Sequence, residues 1–109
     1  MLIKHLSSIH QIPTSHSSGL KQVLLSNEET DNKITQIAIT QLKQGETAEE
    51  HCHPDMVECF FVLSGNLQVK INNATYKCTE NDFIMVDCNE RHELKALTDC
   101  RFMTIGCAI

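Results

Sequence analysis

Apolar residues in this chain recur in short runs between polar turns, and no run has the length or the roughly 3.6-residue period of an amphipathic helix. The runs that suit β-strands lie at 21–25, 34–42, 49–53, 58–64, 67–71, 74–78, 83–86, 91–97 and 101–107. Asn72-Asn73 between two of these runs predicts a tight hairpin turn, because Asn tolerates positive φ. Eight or nine short strands at this spacing predict an all-β fold, either a sandwich or a barrel.

The length of the chain favours a single domain. Its 109 residues, 41% hydrophobic and 21% charged, have the composition of an ordinary globular protein. Residues 1–19 are polar and contain Pro13, so we expect an N-terminal arm or edge segment followed by a barrel domain over 20–109. His5, His10 and His16 lie in this arm at spacings that share no face of a helix or strand, and we expect them to be solvated.

The net charge and the cysteine content indicate which binding partners and which cellular compartment to expect. A net charge of −5 with scattered Lys and Arg argues against nucleic acid as a partner. No signal-like start and no apolar run of about 18 residues are present, so we expect no membrane association and a cytoplasmic location. The six cysteines form no C-x-x-C pair, and we interpret them, including Cys52 and Cys59, as free thiols that act as small core residues.

The segment His51-Cys52-His53 brings two imidazoles into one predicted strand. Side chains alternate faces along a strand, so positions 51 and 53 point the same way and can share one metal ion. Glu58 opens the next strand after the turn at Pro54, where its carboxylate can fold back beside the two histidines.

A third histidine lies in the strand predicted over 91–97. Arg91, Glu93 and Lys95 share one face of this strand, and these charged side chains must face water. His92 is therefore turned inward, where a histidine needs a hydrogen-bond partner or a metal ion.

The spacing Gly45-x5-His51-x-His53-x4-Glu58-x6-Gly65 resembles the first motif of the cupin superfamily residue for residue. In that family the two glycines occupy tight turns.

The second cupin motif, G-x5-P-x-G-x2-H-x3-N, is matched here by His92 alone. Asn81, Asp87, Asn89 and Ala96 stand at its other four positions. Asn81 and Asn89 can still adopt the positive-φ turns that glycine would provide. Over about residues 20–105 the chain is similar to small single-domain cupins of the mannose-6-phosphate-isomerase-like type.

The resemblance implies a double-stranded β-helix, or jelly-roll, barrel that holds one divalent metal ion on His51, His53, Glu58 and His92. This ligand set suits Fe, Mn, Zn or Ni. It favours a metal-dependent enzyme of the isomerase or dioxygenase type acting on a small polar or sugar-like molecule, with Glu58 as a candidate base. The alternative is a non-catalytic cupin module that binds or senses a small ligand.

Two further expectations concern the inner and outer faces of the barrel. Phe60, Met85 and Phe102 are candidates for a partly apolar cavity lining, and we find no inward Lys, Arg or Tyr to serve as a second acid or base. The run 60–63 is apolar on both faces, so its outer face needs a cover, and we expect a homodimer.

Overall fold

The computed structural model describes residues 1–109 and contains ten β-strands. They are β1 (Ile12–Pro13), β2 (Leu20–Ser26), β3 (Ile34–Leu42), β4 (Thr47–His51), β5 (Met56–Ser64), β6 (Leu67–Ile71), β7 (Ala74–Cys78), β8 (Phe83–Val86), β9 (His92–Ala96) and β10 (Cys100–Ala108). Short 3₁₀ turns at Leu6–Ser8 and Asn27–Glu29 complete the fold, and no helix is long and apolar enough to cross a membrane. The all-β prediction is confirmed.

The strands form two antiparallel sheets that face each other. One sheet has the order β1-β2-β3-β10-β5-β8, and the other has the order β4-β9-β6-β7. A cluster of eleven buried residues, drawn from both sheets, fills the space between them. No ladder of hydrogen bonds joins the two sheets, so the expected barrel is a jelly roll that side-chain packing closes.

Alternation along β9 and β5 follows the predicted pattern. His92 is 1% exposed and lies inward with Leu94 and Ala96, as predicted from the charged residues beside them. In β5, Phe60 is buried while Phe61 remains 37% exposed on the outer face. The two apolar faces of this strand therefore meet different surroundings.

Positive φ angles occur at the predicted turn positions. Gly45 and Gly65 have φ values of 85° and 84°. Asn81 and Asn89, which replace the glycines of the second cupin motif, have φ values of 72° and 66°. Asn72 at the β6–β7 hairpin adopts 54°, so asparagine takes the left-handed conformation at all three sites.

The N-terminal residues close one side of the roll. β1 pairs with β2, and residues 14–18 of the chain that joins them contact β4. The Ser18 hydroxyl donates to the Thr47 carbonyl at 2.9 Å and accepts from the Thr47 N–H at 3.2 Å. We call residues 14–18 the N-terminal strap, because they link the edge of one sheet to the edge of the other.

The six cysteines are free but differ in their surroundings. Cys100 lies in the core, and burial raises the pKa of its thiol to about 11. The interpretation as core residues is wrong for Cys52, which is exposed in the turn after β4, and for Cys107, exposed near the end of β10. Cys59 is partly buried and faces away from Glu58, as alternation along β5 requires.

Candidate metal centre

The structure brings together all four side chains that the sequence singles out. One ligand atom each from His51, His53, Glu58 and His92 lies within 4.8 Å of every other. His51 ends β4, Glu58 lies in β5 and His92 begins β9, so three strands from both sheets contribute. The cluster is positioned to hold a metal ion.

Strand pairing places two of the histidines side by side. His51 lies opposite His92 in the β4–β9 ladder, and their ring centroids are 4.2 Å apart. A register shift between Ala48 and His51 inserts an extra residue into β4. Such a bulge re-aims the following side chain, here the His51 imidazole toward His92.

His53 reaches the cluster by a different route from the predicted one. The expected strand over 49–53 ends at His51, because Pro54 cannot donate to a ladder and restricts the residue before it. The turn instead carries the His53 ring to 4.8 Å from the His51 ring. The N–H of Asn89 donates to the His53 carbonyl at 2.8 Å and ties this turn to the loop before β9.

Backbone carbonyls orient two of the imidazoles. The Nδ1 atom of His51 lies 2.7 Å from the carbonyl oxygen of Glu49, and Nδ1 of His92 lies 2.9 Å from that of Glu90. A carbonyl can only accept, so each Nδ1 carries the proton and donates. In the neutral ring this leaves the Nε2 lone pair free for a metal, the arrangement that supporting carbonyls give to metal-ligating histidines.

The two oriented histidines differ in their affinity for protons. Burial lowers the pKa of His51, and the nearby His92, His16 and His53 lower it further, whereas the hydrogen bond that its Nδ1 donates to the Glu49 carbonyl acts to raise it. Burial is also the largest influence on His92 and acts to lower its pKa. Hydrogen bonds to the Glu58 carboxylate and the Glu90 carbonyl outweigh burial, so the pKa of His92 is raised.

One nitrogen in the cluster has no partner within the protein. Nε2 of His53 is buried without a hydrogen bond, and the nearest Glu58 oxygen is 3.7 Å away. The same oxygen lies 3.3 Å from Nε2 of His92. A buried polar atom without a partner costs about 1–3 kcal/mol, and a metal ion would satisfy it. Three imidazoles and one carboxylate are donors that suit Fe, Mn, Zn or Ni, so the residues fit such an ion.

A cavity of about 90 Å³ adjoins the cluster and reaches His51 and Glu58. Phe60 and Phe102 line it, as expected. Met85 does not. Its side chain is 51% exposed, because it lies beside Cys59 in the register of β8 and β5 and shares the outer face with that residue.

Two further residues at the cavity were not expected there. His16 in the N-terminal strap lies with its ring 4.8 Å from the His51 ring, and its Nδ1 is 3.0 Å from a carboxylate oxygen of Glu49. Lys21 also lines the cavity, contrary to the expectation that no inward Lys is present. His5 and His10 are exposed, as predicted.

The fold and the cluster define a small jelly-roll protein with a preassembled site of three histidines and one glutamate. The model of the Cupin domain family matches residues 38–106, which is more than half of the chain. The protein therefore belongs to the cupin family.

Similar solved structures include a predicted oxalate decarboxylase from Thermotoga maritima. It has 22% sequence identity and a TM-score of 0.88, with 99% of this chain and 100% of that chain covered. Ectoine synthase from P. lautus has 21% identity and a TM-score of 0.85, with 99% and 78% covered. KdgF from Halomonas sp. has 10% identity and a TM-score of 0.75, with 94% and 92% covered. No curated protein gives a significant match, and identities this low establish the shared fold alone.

Proposed function

We propose that this protein is a metal-dependent enzyme of the isomerase or dioxygenase type that acts on a small polar molecule. His51, His53, Glu58 and His92 would be the ligands of one divalent ion. The observation that carries the proposal is the buried, unpartnered Nε2 of His53, which lies in a cluster where backbone carbonyls orient the other two imidazoles. Packing alone gives no reason to bury that nitrogen without a partner.

The bound ion would supply polarisation of a carbonyl or hydroxyl group, or a redox couple for oxygen chemistry. Side chains of the protein line the cavity in which a substrate would lie beside the ion. Phe60 and Phe102 form an apolar wall of the cavity, which limits the access of water. Glu58 adjoins the cavity, where its carboxylate could take up a proton as a base if one of its oxygens is free.

We further propose that residues 1–19 serve as an arm on the barrel domain, 20–109. The role of an arm is supported by the contacts of the N-terminal strap with β4 and by the four strap residues that line the cavity. Six free cysteines suit a reducing compartment, and a cytoplasmic location is proposed on that ground.

We also propose that the protein is a homodimer. Phe61 and Phe83 are neighbours on the outer face of β5 and β8 and are 37% and 62% exposed. Met85, on the same face, is 51% exposed. A second copy covering these side chains would remove an apolar surface from water.

The test is the metal content of protein purified without a metal-affinity tag, followed by assays of the loaded protein. Bound iron would direct the assays to oxygen uptake, while zinc or manganese would direct them to isomerisation of small hydroxy-carbonyl compounds. Turnover that disappears on chelation and returns with the ion supports the proposal. Metal and ligand binding with no turnover of any compound tested would instead favour the non-catalytic binding module.

A further inference from the structure

Lys21 is the only Lys or Arg residue that lines the cavity beside the metal centre. It lies in β2 opposite Thr40 of β3, on the face that points between the two sheets. Its side chain is partly buried, and its Nζ donates to the Gln36 side-chain oxygen at 3.3 Å.

No carboxylate neutralises this ammonium group. Lys21 forms no ion pair within 4.0 Å, and its one protein partner is the neutral amide of Gln36. Removing an ammonium from bulk water is unfavourable unless an opposite charge or hydrogen bonds compensate. The ammonium group of Lys21 is therefore available to pair with an anionic ligand in the cavity.

The register of the large sheet relates this charge to the metal centre. Gln36, Gly106 and Glu58 lie in one row across β3, β10 and β5. Two strand spacings, roughly 10 Å between Cα atoms, separate Gln36 from Glu58. The side chains of Thr35 and Met56 pack over Gly106 between them, and the cavity that Lys21 and Gln36 line also reaches Glu58.

Two hydroxyl groups add to this polar surface. The side chains of Thr40 and Thr104 line the same cavity, and neither donates a hydrogen bond to another protein atom. Apart from Glu58, a candidate metal ligand, no acidic side chain lines the cavity. The lining thus offers one cation and hydroxyl donors, which suits an anion better than a neutral polyol.

We propose that Lys21 forms a subsite for the carboxylate of a small organic acid, whose hydroxyl or carbonyl oxygen extends toward the metal centre. This inference rests on the proposed function and narrows its substrate class from a polar molecule to a small carboxylate. A cavity of about 90 Å³ with one cation suits a small monoanion. A phosphate dianion would meet only one positive side chain, with no helix N-terminus beside it.

The experiment uses full-length protein loaded with Co²⁺, whose visible absorption reports changes at the metal. The probe is glycolate, and ethylene glycol is the neutral molecule of similar size. We expect glycolate to change the spectrum at far lower concentration than ethylene glycol. Lys21→Gln should weaken glycolate binding by about tenfold to a hundredfold, the usual effect of losing a charged hydrogen bond. Lys21→Arg should retain most of the affinity, and the exposed Lys95→Gln should match the wild type.

Cobalt stoichiometry separates this inference from the proposed function. Suppose that the wild type and Lys21→Gln each bind one Co²⁺. If the two proteins then have equal affinity for glycolate, or if ethylene glycol binds as tightly as glycolate, the proposed subsite is wrong and the metal site stands. If the wild type binds no Co²⁺, the proposed function fails, and glycolate is titrated into metal-free protein. A shift of the Gln36 side-chain amide resonance that Lys21→Gln abolishes would then support the subsite, and its absence in the wild type would overturn it.

Discussion

Replacing Gly65 with Ala tests how much the close packing of the β5–β6 turn against the chain before β10 contributes to stability. Gly65 has a φ of 84°, and a Cβ atom there would lie 2.2 Å from the Asp99 carbonyl oxygen and 2.8 Å from Cα of Cys100. Gly45 is a matched control, because its φ is 85° but a Cβ atom there would contact nothing within 4 Å. The two substitutions share the backbone strain and differ in the collision.

The magnitude follows from separating these two effects. Holding alanine at positive φ costs about 1 kcal/mol at either position. At Gly65 the obstacle is backbone, which cannot rotate away as a side chain can, and overpacking of this kind adds about 1–3 kcal/mol. We therefore expect Gly45→Ala to lower the free energy of unfolding by about 1 kcal/mol and Gly65→Ala by about 2–4 kcal/mol.

Thermal and urea unfolding of the metal-free proteins, followed by far-UV circular dichroism, measures this difference. A domain of this size loses roughly 4–6 °C in Tm per kcal/mol, so we expect losses of about 5 °C for Gly45→Ala and about 10–20 °C for Gly65→Ala. Failure of Gly65→Ala alone to fold would agree with the same reasoning. Equal losses in the two variants would refute it, because the close approach to Asp99 and Cys100 would then have no energetic effect.

Three other predictions concern the site and the outer face. Because the pKa of His92 is raised, its imidazole takes up a proton at a higher pH than a free imidazole, and that proton must leave before Nε2 can bind a metal. Zn²⁺ binding should therefore weaken as the pH falls through the pKa of His92, and the loss should approach about tenfold per unit below it. Isothermal titration between about pH 8 and about pH 6, in buffers of different ionisation enthalpy, measures this, and an affinity that stays constant over this range would contradict it. His16→Ala should leave one metal per chain, because His16 is not among the four clustered ligand residues; elemental analysis checks this, and loss of the metal would show that His16 is a ligand. Light scattering should give a dimer for the wild type and a monomer for Phe83→Ser with unchanged circular dichroism, whereas a monomeric wild type would rule out the proposed dimer.

The four clustered residues were predictable because each lies in a local sequence pattern that indicates which way its side chain points or which residues it lies beside. Alternation of charged and apolar residues around His92 requires an inward histidine, and the structure places it inward with 1% exposure. The spacing of His51, His53 and Glu58 indicates a shared site even though β4 ends before His53. The motif therefore predicted correctly that these side chains lie together. The assumption that His51 and His53 share one face of a strand was wrong, because His53 lies in the turn after β4.

His16 and Lys21 were not predictable, because their positions depend on contacts between distant parts of the chain. His16 reaches the site through the pairing of β1 with β2 and through Glu49, 33 residues away. Lys21 lies in a strand without strict alternation, so the register with Thr40 decides which way it points. The outward position of Met85 likewise follows from its pairing with Cys59 across β5 and β8.

Titration of metal-free protein with Co²⁺ tests most directly whether the four clustered side chains hold one divalent ion. We predict a visible spectrum that saturates at one ion per wild-type chain. His53→Ala and His92→Ala should greatly weaken binding, while the exposed His10→Ala should match the wild type. Absence of saturable binding in the wild type, or unchanged binding in both cluster variants, would contradict the claim.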